Sequence, residues 1–353
     1  MDIQQLIITK KITVREALRR MDEGGEKILF VVDKHDALCG VLTDGDIRRY
    51  LLGQGNLHGT IEKVYNAKPR SVLKGTDQDI IKELMVREKI EALPVVDEFK
   101  KIVNVFFWMD LVSESTFPRN KIDVPVVIMA GGKGQRLGPF TRILPKALIP
   151  VNDKPIIEVI IDRFTAIGAP EFFLTMNYKG EMIKVYFDYI DHKYKIHYLW
   201  EKEFLGTAGS LKMLPADIAE NFIVSNCDVI VNADYADLLS FHRKYQNLLT
   251  VVGTIQHHKI PYGVIHFKEH GKIQNIEEKP EIDFTVNTGV YILSKKALKY
   301  IPKGKPFDMP DLIAVLLKKG ENISVYPVSE KSYMDVGQWE EYHKTIDRLE
   351  YKL

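Results

Sequence analysis

Cysteine is nearly absent: Cys39 and Cys227 are the two in 353 residues, far apart and each set in apolar sequence. That scarcity points away from a disulfide framework and toward buried thiols in a reducing compartment. No apolar run approaches the ~18 residues that a membrane span needs. The start, MDIQQLIITKK, has an acid at position 2 and too short an apolar stretch for a secretory leader. Charge of one sign is lacking too, since the formal net charge is +1, which gives no footprint for nucleic acid. The expectation is a cytoplasmic protein with neither nucleic acid nor membrane as partner. Several chemistries are missing as well. There is no G-x-x-x-x-G-K-[ST] string, no Ser-His-Asp or Cys-His set, and no metal-ligand spacing among the histidines, His257-His258 included. The dinucleotide fingerprint G-x-G-x-x-G is met at Gly132 and Gly134 but fails at Leu137, so a nicotinamide cofactor has weak support. The aromatic residues near 186–200 recur at helix and strand spacing and read as core.

What remains is an ordinary globular composition, 45% hydrophobic and 27% charged, on a chain longer than one hydrophobic core usually fills. Two domains are expected, and an internal repeat marks the first. Residues 28–47, ILFVVDKHDALCGVLTDGDI, slide onto residues 92–111, ALPVVDEFKKIVNVFFWMDL, by 64 positions. The shift places Val31, Val32 and Asp33 on Val95, Val96 and Asp97, Val41 on Val105, and Asp46 on Asp110. It also places Ala17 and Met21 on Ile81 and Met85. Each copy reads as helix, β-branched strand, turn, second strand and second helix. A repeat of this length implies two similar units packed about a pseudo-twofold axis.

The string GVLTDGDIRR, Gly40 to Arg49, resembles the signature of the CBS domains. The resemblance implies an α+β tandem pair over residues 1–116, with repeats at about 1–58 and 59–116. Thr43 and Asp46 fall at the family's ribose- and phosphate-contacting positions, which implies a purine nucleotide effector in the first cleft. The second copy departs, with Asn104 for the glycine and Phe107 for the threonine, although Asp110 remains. The other reading of the pair is a dimerisation platform. STFPRNKIDVP mixes prolines with polar residues and breaks both patterns, so 117–123 reads as the linker.

From Val124 to residue 353 strand-like and helix-like segments alternate: VPVVIMA, PIIEVIIDRFTAIG, EFFLTMN, GEMIKVYFDYI, KIHYLWE, NFIVSNCDVIV. Alternation of this kind predicts an α/β domain with a mostly parallel, Rossmann-like sheet whose ligands bind beyond the carboxyl ends of the strands. AGGKGQR stands directly after its first strand. Glycines let backbone amides approach an anion. Arg136 then offers a planar fork to phosphate oxygens, and Lys146 a mobile point charge.

The full string AGGKGQRLGPFTRILPKALIPV resembles the signature of the sugar-nucleotide pyrophosphorylases, with further motifs following in the family's order. The resemblance implies a GT-A-like nucleotidyltransferase domain over 124–353. Its expected reaction is attack of a sugar 1-phosphate on the α-phosphorus of a nucleoside triphosphate. By resemblance, Arg136 and Lys146 are the basic catalytic residues, and Ala130, Gly131, Gly132, Gly134 and Gln135 line the triphosphate. Gln135 replaces the family's usual threonine. Asp228 and Asp335 match the two Mg²⁺-binding acids, with Cys227 where a glycine is usual. Gly263 in IPYGVI, Glu278 and Lys279 in IEEKP, and Asn287 in VNTGVYIL match the sugar-phosphate positions.

WEKEFLGTAGS matches the base-reading segment, with Glu201, Gly206 and Thr207 on the nucleotide. Guanine offers two adjacent donors that a carboxylate accepts together, so Glu201 tilts the expectation to GTP. The resemblance extends to CBS-fused members that activate glucosamine or heptose 1-phosphate for surface glycans, and to a homo-oligomer. The alternatives are a uridylyl- or thymidylyltransferase of the same family, or a nucleotide-sensing protein that binds without turnover.

Overall fold

The 64-residue offset recurs in the backbone of the computed structural model, which describes residues 3–53, 55–88, 90–107, 121–138 and 140–337. The first copy is built from β1 (Ile7–Thr9), α1 (Val14–Gly24), β2 (Ile28–Val32), β3 (Leu38–Thr43) and α2 (Asp44–Leu52). The second repeats it with β4 (Val72–Leu73), α3 (Gln78–Glu88), β5 (Ala92–Val96) and β6 (Ile102–Phe107). Ile28 pairs with Thr43 and Ala92 with Phe107, and the register slips at the same place, after Val31 and after Val95. The turns match as well. Asp33 accepts from His35 N and Ala37 N, and Asp97 from Phe99 N and Lys101 N. Asp36 and Lys100 close these turns at φ of 62° and 61°. Each copy opens on a short strand that the sequence reading lacked. Asp110 lies outside the described residues.

Local chemistry accounts for α1. Thr13 Oγ1 accepts from Glu16 N at 3.1 Å, and Gly25 ends the helix in the left-handed region at φ 80°. Val14, Ala17, Leu18 and Met21 form one buried stripe at helical spacing. The two copies share a core in which Leu6, Phe30 and Leu38 meet Ala92, Val96 and Val105.

The second domain's sheet uses β7 (Val126–Met129), β8 (Phe172–Met176), β9 (Ile196–Trp200), β10 (Asn221–Asn226), β12 (Leu249–Lys259), β15 (Glu281–Ser294) and β16 (Ile323–Val328). Shorter strands include β11 (Val229–Val231), β13 (Val264–Phe267), β14 (Ile273–Glu277) and β17 (Tyr333–Asp335). The longer helices that follow α3 are α4 (Ile156–Ala166), α5 (Gly180–Tyr189), α6 (Tyr235–Lys244) and α7 (Met309–Lys318). Strand order is β9-β8-β7-β10-β15-β12-β16. β7 pairs in parallel with β8 and β10, and β15 runs antiparallel to β10. Every residue of β7 and β8 is buried, as a parallel sheet covered on both faces requires. The chain moves outward from β7 through β8 to β9, then returns to β7's other side as β10. That reversal leaves a crevice beyond the carboxyl ends of β7 and β10.

Two compact units result. One holds residues 1–119 with 255–284 and 329–331, and the other holds 120–254, 285–328 and 332–353. Within the first unit, Ile255 on β12 is buried among Ile8, Val14, Ala17, Leu42 and Ile47.

The second unit contains a buried polar group with a measurable consequence. His242 on α6 is 1% exposed, its Nδ1 is 2.8 Å from Thr250 Oγ1, and its Nε2 has no partner. Burial, with the nearby Arg243 charge, pushes its pKa down to about 4. The unfolded chain binds this proton near pH 6.5 and the folded chain does not. Stability is therefore unaffected by the group above pH 6.5 and falls as pH drops from 6.5 toward 4. The loss is expected to reach about 2 kcal/mol at pH 5. Urea unfolding of wild type and His242→Gln at pH 7.5 and 5.0 checks this. The variant should show the shallower pH dependence, and equal slopes would refute the assignment.

Candidate active site

The glycine loop leaves β7 at the crevice. Ala130 N donates to Thr175 O and Tyr178 N to Gly131 O, which ties the loop's start to β8 and the turn after it. Position 131 has no room for a side chain: a methyl there would lie 2.6 Å from Glu201 Oε1. At Gly132 a methyl would meet nothing within 4 Å, so the backbone faces open space. Gly134 is left-handed at φ 61°, and a methyl on it would lie 2.9 Å from both Lys146 Cβ and Thr141 Cγ2. Leu137 is buried, whereas Gln135 and Arg136 are exposed. Leu137 thereby anchors a turn that holds its two polar neighbours outward.

The acids arrive by a different route. Asp228 stands between β10 and β11, and β11 pairs antiparallel with β17 so that Val229 faces Asp335. Val336 N donates to Asp228 O at 2.9 Å, which fixes the crossing. The pairing brings together two aspartates that lie far apart in sequence. Lys146 Nζ forms an ion pair with Asp228 Oδ2. Gly337 marks where the three groups converge: a methyl there would run into Asp228 Oδ2 and lie 2.8 Å from Asp335 Oδ1 and 3.0 Å from Lys146 Nζ.

The electrostatics follow from this packing. Burial raises the Asp335 carboxyl above the usual range and the Asp228 charge adds to it, against the opposing Gly337 amide, which donates to Asp335 Oδ1 at 2.6 Å. Burial pulls the Lys146 ammonium down, but the Asp228 carboxylate and its neighbours more than offset it and hold its pKa above normal. Burial pushes the Cys227 thiol up to about 12, so it is no nucleophile. Cys39 is half-buried rather than buried. Among the described residues no three His, Cys, Asp or Glu side chains converge as a metal cage. Two hard carboxylates whose mutual repulsion is relieved by a cation nevertheless fit Mg²⁺, which takes one or two carboxylates and completes its octahedron with phosphate oxygens and water.

Glu201 follows β9 and is 6% exposed. Its Oε2 accepts from Leu205 N at 2.8 Å, while Oε1 abuts Gly131. Burial raises its pKa, and the Leu205 amide partly offsets this. Gly206 and Thr207 serve the neighbouring turn. Gly206 is left-handed at φ 79° against Phe307 O and Asp308 Oδ1. Thr207 N donates to Asp308 Oδ1 at 2.8 Å, and Met309 N donates to Thr207 Oγ1 at 2.9 Å at the start of α7.

The sugar-phosphate candidates divide between the units. Asn287 lies in the second, where its Oδ1 accepts from Gly289 N at 3.0 Å and its Nδ2 donates to Tyr291 OH at 2.7 Å. Gly263, Glu278 and Lys279 lie in the first. A methyl on Gly263 would sit 3.0 Å from Glu278 Oε2, and Lys279 is left-handed at φ 47°. Thr43 and Asp46 form a capping box on α2: Thr43 N donates to Asp46 Oδ2 at 2.9 Å and Asp46 N to Thr43 Oγ1 at 3.2 Å. Arg49 Nη2 takes the remaining carboxylate oxygen at 2.6 Å. These two residues therefore start a helix as they stand.

Sequence reasoning missed Gly337 and also Asn226, whose amide packs against left-handed Gly289. The one available signal for Gly337 was its place two residues after Asp335.

Residues 125–352 match the family model described as nucleotidyl transferase, and residues 2–53 match the CBS domain model. A mannose-1-phosphate guanyltransferase of Yarrowia lipolytica is 33% identical over 60% of this chain and 60% of its own length. A UTP–glucose-1-phosphate uridylyltransferase of Synechocystis is 28% identical over 62% of each. The chain thus spans about three fifths of the length of these curated relatives. Among solved structures, HddC from Yersinia pseudotuberculosis superposes with a TM-score of 0.52 at 26% identity, over 64% of this chain and all of that one. Its complex with GMP-PN superposes with a TM-score of 0.51.

Proposed function

The chain belongs to the nucleotidyl transferase family and carries an N-terminal CBS domain, and from that premise we propose that it joins GTP to a sugar 1-phosphate. A phosphate oxygen of the sugar attacks the α-phosphorus in line. The new P–O bond forms as the α–β bridge breaks, and pyrophosphate leaves with the electron pair. Both partners are anions, so catalysis is positioning and charge neutralisation. The observation that carries the reading is the meeting of Lys146 with Asp228 and Asp335 beside a glycine loop at the carboxyl ends of β7 and β10.

In this reading Lys146 faces the α-phosphate and Arg136 the leaving pyrophosphate. The backbone of 130–135 would cradle the triphosphate, and Asp228 and Asp335 would hold Mg²⁺, which would supply charge neutralisation there. Gly263, Glu278, Lys279 and Asn287 are assigned to the sugar phosphate by the order of their motifs. The sugar is taken to be glucosamine or a heptose, and the reaction to be cytoplasmic.

Glu201 supports guanine. It is a buried carboxylate for which, among the described residues, the Leu205 amide is the group that favours the charged form, and guanine N1–H and N2–H would satisfy it further. Pyrophosphate release with Mg²⁺ tests the whole, crossing GTP, UTP, CTP, ATP and dTTP against five sugar 1-phosphates: glucosamine, N-acetylglucosamine, mannose, glucose and heptose. Turnover with GTP is expected. Turnover with UTP or dTTP alone would discard the guanine argument but keep the enzyme. Silence across the grid with nucleotide still bound would favour a sensing protein. Glu201→Gln is expected to lower the GTP-over-UTP ratio of kcat/KM by about tenfold or more. An unchanged ratio would remove Glu201 from base selection.

A further inference from the structure

The one-turn helix Phe140–Ile143 links the glycine loop to Lys146. A helix end leaves its last carbonyls without partners, and here Leu144 N takes Phe140 O while Thr141 O, Arg142 O and Ile143 O are left over. All three are taken from outside. Tyr178 OH donates to Thr141 O at 3.3 Å, and Lys179 Nζ donates to Arg142 O and, at 2.8 Å, to Ile143 O. Lys179 Nζ also sits 5.3 Å from the centre of the Tyr178 ring, so the two side chains brace each other. A cation at a helix C-terminus complements the dipole as well as the bonds.

The captured turn is itself fastened to the phosphate loop. Thr141 Oγ1 donates to Gly134 O at 2.9 Å, and left-handed Gly134 lies against Lys146 Cβ. At the loop's other end, Tyr178 N donates to Gly131 O. A two-residue segment after β8 therefore grips both ends of the loop that follows β7. Lys179 is left-handed at φ 53°. A lysine in that strained conformation, rather than a glycine or asparagine, is the costlier choice unless its ammonium is used.

We propose that Tyr178 and Lys179 are positioning residues that strap the phosphate loop into its nucleotide-binding form, setting affinity for the triphosphate and not for the sugar phosphate. This rests on the transferase reading of the site. Both residues act through the backbone carbonyls that they hold, not through a role assigned on the substrates. Lys179→Met keeps the stem and the strained backbone but releases two carbonyls. Tyr178→Phe releases one and keeps the ring, and Lys179→Arg keeps the cation.

Steady-state kinetics of the full chain, together with amide hydrogen exchange over 131–144, test it. Lys179→Met is expected to raise KM for the triphosphate about tenfold. Its kcat should change by less than about threefold and KM for the sugar phosphate by less than about twofold. Tyr178→Phe should give a smaller shift of the same kind, and Lys179→Arg should restore most of the loss. Exchange over 131–144 should quicken in Lys179→Met while α4 is unchanged. KM for both substrates moving together, or exchange rising across the whole domain, would reduce the pair to a general structural contact. An inert wild type would overturn the transferase reading alone. In that case exchange over 131–144 still decides the strap, which unchanged rates in Lys179→Met would refute.

Discussion

Asp228→Ala is expected to cut pyrophosphate release by about a thousandfold or more, since it removes the ion-pair partner of Lys146 and, in the proposed reading, one of the two carboxylates that would hold Mg²⁺. The backbone consequences should be small, because Asp228 holds Val336 through its carbonyl and not its side chain. The electrostatic consequences should be large. Lys146 loses the carboxylate that offsets its burial, so its raised pKa should fall. Asp335 loses the charge that adds to the effect of burial, so its raised pKa should relax downward. Asp228→Asn keeps the shape and removes the charge, and should lose nearly as much. Nucleotide affinity without metal should survive in both variants, because the glycine loop and Glu201 are untouched. Calorimetric titration of GTP with and without Mg²⁺, beside turnover and a thermal melt, distinguishes these terms. More than a tenth of wild-type turnover in Asp228→Ala would contradict the assigned role.

Gly337→Ala should also cost much of the turnover, though less than Asp228→Ala, while adding a single methyl group. The backbone at 337 lies outside the left-handed region, so alanine meets no conformational penalty there. Its methyl would occupy the point where Asp228 Oδ2, Asp335 Oδ1 and Lys146 Nζ converge. Three charged groups would have to part, or β17 would have to move from β11. A loss of about a hundredfold in kcat is expected, by analogy with misplacing catalytic groups by an ångström. The melting temperature should change little. If kcat in Gly337→Ala stays within about threefold of wild type, the three groups do not act as one centre.

Part of the candidate site was legible along the chain because its residues are local, whereas Asp228 and Asp335 were placed there by motif resemblance alone. Gly131, Gly132, Gly134, Arg136 and Lys146 stand within one short stretch after one strand, and each copy of the repeat carries its own turn aspartate. What was not readable depends on contacts between distant segments. Nothing near Gly337 in sequence tells that β17 will pair with β11. Thr207 matches a nucleotide-contacting motif, and its bonds to Asp308 and Met309 at the start of α7 are invisible in that motif. Thr43 and Asp46 match a nucleotide motif, yet the same spacing is a capping box, and the capping box is what the backbone contacts show. Tyr178 and Lys179 resemble any polar turn after a strand. Their importance is set by carbonyls left open by a helix of one turn.

The division of the chain between its units also bears on how the protein is made. The first unit needs residues 255–284, and Ile255 fills the core beside Ile8, Val14 and Ala17. On a ribosome adding roughly 5–20 residues per second, that segment emerges on the order of ten seconds after residue 119. During that interval the nascent first unit exposes apolar surface that its own later sequence will cover. Synthesis order and folding order therefore cannot coincide, and the repeat that comes out first is completed only after most of the second unit has emerged.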